Sequence, residues 1–179
     1  MAHGVQSLDL DQWINAVPDF PKPGILFRDI TSLLADPVAL NECLNQLQNR
    51  VEKLSPTCIV GIESRGFLFG VPLSLRLNVP FIPARKPGKL PRDTHTVSYS
   101  LEYGEDTLHI HKGDIPKGAR VLLVDDLLAT GGTAAACVKL IEASLAKPVG
   151  CAFVIELDGL DGRERLPNID VISLLNYPA

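Results

Sequence analysis

The chain has 179 residues, 46% of them apolar, and a formal net charge of -4 at neutral pH. That length and apolar share support one domain with a sizeable core. The acidic balance gives no general attraction to nucleic acid or anionic lipid, and no uncharged apolar run reaches the roughly 18 residues of a membrane helix.

The opening "MAHGVQSLDLDQW" is polar and acidic, so no secretory leader is expected. The four cysteines, Cys43, Cys58, Cys137 and Cys151, form no C-x-x-C pair and sit in apolar runs. They read as buried free thiols in a reducing cytoplasm. Residues 8–16 read as a short helix, stopped by Pro18, Pro21 and Pro23. In residues 38–54, Leu40, Leu44, Leu47, Val51 and Leu54 recur at helical spacing, with Asp36 as N-cap and Pro37 at the first helical position.

"CIVGI" (58–62) predicts a central strand, and residues 66–78 a helix kinked or delayed by Pro72. Strands are expected at 79–85, 120–126, 149–157 and 170–176, and a helix at 131–146. The strand runs are continuously apolar, which suits parallel strands covered on both faces. Residues 92–112 alternate polar and apolar around Tyr103-Gly104-Glu105-Asp106, predicting a half-exposed antiparallel excursion. The expectation is therefore α/β, an open and mostly parallel sheet flanked by helices.

Chemistry concentrates in "VLLVDDLLATGGT" (121–133). Read as strand, loop and helix, it puts Asp125 and Asp126 at the carboxyl edge of a parallel sheet, where ligands bind. Thr130, Gly131, Gly132 and Thr133 fall where the next helix begins. Helix N-terminal amides, close-approach glycines and threonine hydroxyls make a phosphate cradle. Two carboxylates repel a phosphate but suit a ribose's adjacent hydroxyls or a cation. Neither G-x-x-x-x-G-K-[ST] nor a strand–helix G-x-G-x-x-G is present, so the standard nucleotide loops are excluded.

Other segments admit two readings each. Arg65, in "IESRG", can reach an anion at the same edge or pair with Glu63 on the surface. Arg85, Lys86 and Lys89 form either a solvated basic turn or a diphosphate clamp. Phe27 is either core or a stacking face for a flat base. Glu102 and Tyr103 are either an exposed hairpin tip or part of a closing flap. His109 and His111 share a strand face without a third ligand nearby, and read as ordinary histidines. Residues 156–164 lack the ligand spacing of a calcium loop and read as a turn and short helix.

Taken with "FPKPGILFRDI" (20–30), "ESRGFLFG" (63–70), "RKPGKLP" (85–91) and "YSLEYGEDTL" (99–108), the stretch at 121–133 resembles the phosphoribosyl-diphosphate motif of type I phosphoribosyltransferases. "LLATGGT" is similar to their adenine-specific branch. The likeness runs in order over nearly the whole chain. It implies a single domain over 1–179, with a hood segment of about 1–35 and a flap of about 92–112. It implies transfer of the 5-phosphoribosyl group from 5-phospho-α-D-ribosyl 1-diphosphate to adenine, giving AMP and diphosphate. By the same resemblance, Ala129 and Thr130 to Thr133 hold the 5′-phosphate, and Asp125 and Asp126 the ribose. Ser64, Arg65, Arg85, Lys86 and Lys89 hold diphosphate. Leu26, Phe27 and Arg28 form the adenine pocket, Glu102 transfers the base proton, and Tyr103 belongs to the lid. Mg2+ held mainly by the substrate and a cytoplasmic homodimer are implied too. Relatives often carry Asp at the position of Glu63 and a basic residue at that of Pro87. A 6-oxopurine substrate, or a non-catalytic nucleotide sensor on this fold, remain the alternatives.

Overall fold

The computed structural model describes residues 8–100 and 105–179. It divides into two compact units, Met1–Gln46 and Leu47–Ala179.

In the first unit, the helix expected over 8–16 is only a 3-10 turn, Leu10–Trp13, capped by the Asp9 carboxylate. Asn15–Pro18 is instead strand β1, paired antiparallel with β2, Leu26–Asp29. The proline-rich segment that looked like a helix stop is the turn of this hairpin. Its Asp19 carboxylate accepts from the Gly24 amide at 2.8 Å. A short helix α1, Thr31–Ala35, follows, with Asp29 accepting from the amide and hydroxyl of Thr31.

Helix α2, Pro37–Val51, starts as expected, with the Asp36 carboxylate accepting from the amides of Val38 and Ala39 at 2.8 and 2.9 Å. Its buried stripe is Ala39, Cys43, Leu44, Leu47 and Val51, while Leu40 is half-buried. The apolar spacing was legible, but small Ala39 and Cys43, rather than Leu40, set its edge.

The second unit is built on a five-stranded parallel sheet of order β4-β3-β7-β8-β9. Its strands are β3 (Cys58–Ile62), β4 (Phe81–Ala84), β7 (Arg120–Leu128), β8 (Lys147–Asp158) and β9 (Val171–Pro178). Every residue of β3 is buried, as its unbroken apolar run requires. Each fully buried Leu- or Ile-sized side chain here contributes about 1.5–3 kcal/mol before conformational entropy is counted. All four cysteines are free and buried. Burial alone pushes the Cys58 thiol up to about 11 and that of Cys151 up to about 12.

Helix α3, Arg65–Leu77, begins immediately after β3 and carries Pro72 in its interior. Pro72 does not delay the start. The carbonyl it leaves without an amide belongs to exposed Leu68, where water can serve it. Helix α4, Gly132–Ala143, follows β7 and packs Ala134, Ala136, Cys137, Val138, Leu140 and Ile141 inward.

The predicted excursion is the antiparallel hairpin of β5 (Thr94–Ser100) and β6 (Glu105–His111). It is anchored more firmly than a half-exposed flap. Leu108 and Ile110 are fully buried, and Arg85 and His109 exchange backbone hydrogen bonds of 2.9 and 2.8 Å. The two histidines serve this root. His109 Nδ1 bonds the hydroxyls of Thr94 and Thr96, and His111 sits between Arg92 and Asp114. Residues 162–165 form a 3-10 turn after β8. Among the described residues, no helix is long and apolar enough to cross a membrane.

Candidate active site

The strand order fixes where a ligand can sit. From β3 the chain moves outward to β4, whereas from β7 it moves the other way to β8. The loops after β3 and β7 therefore diverge, leaving a crevice at the carboxyl ends of these neighbours. Register sharpens this. β3 pairs with β7 only as far as Gly61 with Val124, while β7 stays paired to β8 through Leu128 and Glu156. Asp125 to Leu128 thus keep one edge open to the crevice. The acids stand within the strand, two residues before its end, rather than beyond it.

Two cavities meet there. One, of about 220 Å³, is lined by Ala129 to Thr133, Asp125, Asp126 and Arg65, with Phe153 beneath. The second, of about 440 Å³, is lined by Glu63, Ser64, Arg65, Lys86, Asp125, Asp126 and Thr133, together with Tyr99 and Asp106. They share Arg65, the acid pair and Thr133. A ligand with a phosphate at one end and an anionic group at the other fits two such adjoining spaces.

The cradle depends on glycine. Gly131 caps α4 with φ +76° and no side-chain cap, so the first-turn amides of α4 face the cavity without a capping oxygen. A Cβ at Gly131 would run into the carbonyl of Gly162. Gly66 plays a matching part on α3. A Cβ there would stand 2.6 Å from the Val124 carbonyl and 3.1 Å from the Asp125 carboxylate. Only glycine lets that first turn lie against the acid pair.

Asp126 is 3% exposed, and its Oδ2 lies 3.0 Å from Nε of Arg65 without the alignment of a hydrogen bond. Arg65 thus reaches the acid pair rather than serving only as a surface partner of Glu63. Burial and then the Asp126 charge push the Asp125 carboxyl well above the ordinary 3.8, with Arg65 pulling against them. Burial also raises Asp126, again opposed by Arg65.

Between the ordinary 3.8 and the pair's raised folded value, the folded chain holds more protons than the unfolded chain. Stability contributed by the pair therefore falls as pH rises through that window. Urea unfolding from about pH 4 to neutrality should show this downward contribution, and Asp126→Asn should flatten it. An identical pH slope in the variant would contradict it.

Glu63 has a definite task. Its carboxylate accepts from Arg85 Nε and Nη2 at 3.2 and 3.4 Å and from the Lys86 amide at 2.7 Å. It clasps the turn after β4 to the loop after β3, and holds Lys86 at the second cavity. Burial raises the Glu63 carboxyl, but the Lys86 amide and Arg85 outweigh it and hold it below the usual range. Arg85 is committed to this clasp, and neither it nor exposed Lys89 lines either cavity. Pro87 belongs to the same exposed turn.

A family model described as the phosphoribosyl transferase domain matches residues 29–175. Adenine phosphoribosyltransferase of Synechococcus sp. is 55% identical over 170 residues, covering 95% of this chain and 99% of the relative. The chain belongs to the adenine phosphoribosyltransferase family.

Solved members share this phosphoribosyltransferase fold. The adenine phosphoribosyltransferase of Thermoanaerobacter pseudethanolicus superposes with a TM-score of 0.91 at 48% identity, covering 94% of this chain and 98% of its own. That of Saccharomyces cerevisiae, complexed with an imino-altritol bisphosphate and adenine, gives 0.87 at 42% identity, with 93% and 96% covered. In the present phosphoribosyltransferase, Ala129 to Thr133, Asp125, Asp126, Ser64, Arg65 and Lys86 are brought together as expected. Leu26, Phe27 and Arg28 lie on β2 of the first unit. Phe27 is half-exposed and meets Phe20 edge-on at 5.0 Å, so it is not simple core. Glu102 and Tyr103 lie outside the described residues.

Sequence reasoning missed Tyr99 and Asp106 as cavity residues. Their signal was available in the hairpin's alternation. Tyr99 pairs directly with Asp106, two positions from the pair of Val97 and buried Leu108, so all four share a face.

Proposed function

We propose that this enzyme transfers the 5-phosphoribosyl group from 5-phospho-α-D-ribosyl 1-diphosphate to adenine, releasing AMP and diphosphate. The observation that carries the reading is the pair of adjoining cavities. An uncapped helix N-terminus lines one, Arg65 and Lys86 line the other, and buried acids lie between.

In this reading the amides and hydroxyls of Thr130 to Thr133, with Ala129, hold the 5′-phosphate. Asp125 and Asp126 accept from the ribose hydroxyls and face the positive charge that develops at C1. Ser64, Arg65 and Lys86 receive the diphosphate, Arg85 acts through the Glu63 clasp that sets Lys86, and Lys89 adds charge at longer range from the exposed turn. The C1–O bond breaks with its electron pair going to diphosphate, and N9 of adenine supplies the pair for the new C1–N bond on the opposite face. The N9 proton leaves towards Glu102, while Tyr103 closes the lid. Leu26, Phe27 and Arg28 hold the base, Phe27 by stacking and the neighbouring backbone by hydrogen bonds to the purine edge. Most of the rate gain is positioning and electrostatics.

Mg2+ suits this site as a passenger of the substrate. A magnesium ion bound by one or two carboxylates and substrate oxygens matches its chemistry. When bound it neutralises charge on the leaving group.

The reducing cytoplasm is the compartment that suits free, buried thiols. Two copies would cover the apolar stripe of Leu68, Val71 and Leu75 on α3, which is 44%, 41% and 78% exposed.

The deciding assay measures AMP formed from adenine, the ribosyl diphosphate and magnesium, beside the same assay with hypoxanthine. Adenine should be the better substrate, because a 6-oxo group exchanges donor for acceptor at the edge read by the backbone. Preference for hypoxanthine would overturn the base assignment, and binding without turnover would overturn the enzymatic one. The same preparation should sediment as a pair of chains, and a monomer would refute the dimer.

A further inference from the structure

The second cavity contains a hydrogen-bonded hub that the roles above do not use. The Tyr99 phenol oxygen accepts from Lys86 Nζ at 3.3 Å and from the Thr133 hydroxyl at 3.4 Å. The Tyr99 hydroxyl donates to the Asp106 carboxylate at 3.1 Å. Lys86 and Asp106 also form a direct ion pair. The ammonium stands 5.8 Å from the centroid of the Tyr99 ring, within reach of a cation–π attraction. Tyr99 and Asp106 are opposed residues of β5 and β6, so one hairpin supplies both partners.

Lysine is the side chain that most needs such help. It has a long, flexible stem, and holding it still costs more rotamer freedom than for most side chains. The Glu63 clasp fixes only its backbone. The hub fixes its ammonium, at a wall shared with Thr133 of the phosphate cradle. Burial pulls the Lys86 ammonium down, but the bonds from Asp106 and Tyr99 outweigh this and keep it charged.

We infer that Tyr99, with Asp106, is a positioning residue that presents the Lys86 ammonium to the diphosphate leaving group. The inference rests on the proposed role of Lys86 in diphosphate binding. Before substrate arrives, Asp106 and the phenol hold the ammonium beside the place the diphosphate will take. The diphosphate then gains a cation already ordered, and the association loses less freedom. Thr133 ties the same phenol to the cradle, so the lysine and the 5′-phosphate grip keep a fixed spacing.

The test is calorimetric titration of magnesium diphosphate into the AMP-saturated full chain. Four forms are compared: the parent, Lys86→Met, Tyr99→Phe and the double variant. Lys86→Met should weaken diphosphate by about tenfold or more, as expected for a lost charged hydrogen-bonding partner. Tyr99→Phe keeps the ring and should weaken it roughly three- to tenfold. The double variant should match Lys86→Met alone, since the phenol acts through the lysine. Thermal midpoints of the four confirm that folded chains are compared.

Asp106→Asn gives an independent arm and should also weaken binding. An unaltered Tyr99→Phe, or single effects that multiply in the double variant, would overturn the inference while leaving Lys86 in place. Tighter diphosphate binding by Asp106→Asn would overturn it too, because Asp106 would then compete with the ligand. No effect of Lys86→Met would instead remove the diphosphate assignment of Lys86 itself.

Discussion

Asp126→Ala will lose about a hundredfold to a thousandfold in AMP formation while the fold keeps its stability. The two effects separate because of where the carboxylate sits. It is 3% exposed, its Oδ2 has no aligned hydrogen bond, and burial makes its charged form unfavourable. Removing it relieves a desolvated acid pair rather than breaking a satisfied network. Arg65, whose side chain is 42% exposed, can turn to water. In the proposed reacting complex the same carboxylate faces positive charge developing at C1, and a preorganised charge there acts mainly on the transition state. Initial rates and urea unfolding of the same preparation check both halves. A rate within tenfold of the parent would remove Asp126 from the mechanism, and a fold lost with the rate would make its role structural.

Gly131→Ala should be worse for the protein as a whole. The position needs φ +76°, and a Cβ there meets the Gly162 carbonyl. The left-handed backbone alone costs an L-residue about 1–2 kcal/mol. The clash adds to this, because the obstructing atom is a backbone carbonyl rather than the end of a flexible side chain. The loop must shift, and with it the amides proposed to hold the 5′-phosphate. A displacement of about 1 Å in such a site costs on the order of a hundredfold in rate. The expected result is a lower unfolding midpoint and a large rise in KM for the ribosyl diphosphate. A variant with parental KM would show that these amides do not hold the phosphate.

The parallel core was legible because buried strands are written as unbroken apolar runs. "CIVGI" became β3 without a residue's change. The glycine turn that opens α4 was legible because T-G-G-T follows an apolar run and an acid pair, the order of a strand, its carboxyl edge and the next helix. Residues 8–16 misled because Leu10 and Trp13 are three apart, as on a helix face, whereas Asn15 to Pro18 find their partner only in β2 across the proline turn. That pairing is not local. Tyr99, Asp106 and Glu63 were missed as partners of Lys86 because their roles arise from tertiary proximity. Glu63 meets Arg85 only because β3 and β4 lie parallel, with Ile62 beside Ala84. The edge of the α2 stripe shifted because Ala39 and Cys43 are small and carry a weaker apolar signal than Leu40.

Three cations at or beside the crevice carry acidic companions: Asp126 for Arg65, Glu63 for Arg85 and Asp106 for Lys86. An empty cleft so arranged presents little unbalanced charge to its surroundings. Simple phosphate or sulfate would have to displace a carboxylate to gain a guanidinium or ammonium, and would bring nothing to console the acid left behind. The proposed substrate, a phosphoribosyl diphosphate carrying a divalent ion, would offer hydroxyls and metal charge to those acids as it took the cations. At these three cations, at least, a small anion gains less than its charge alone would suggest.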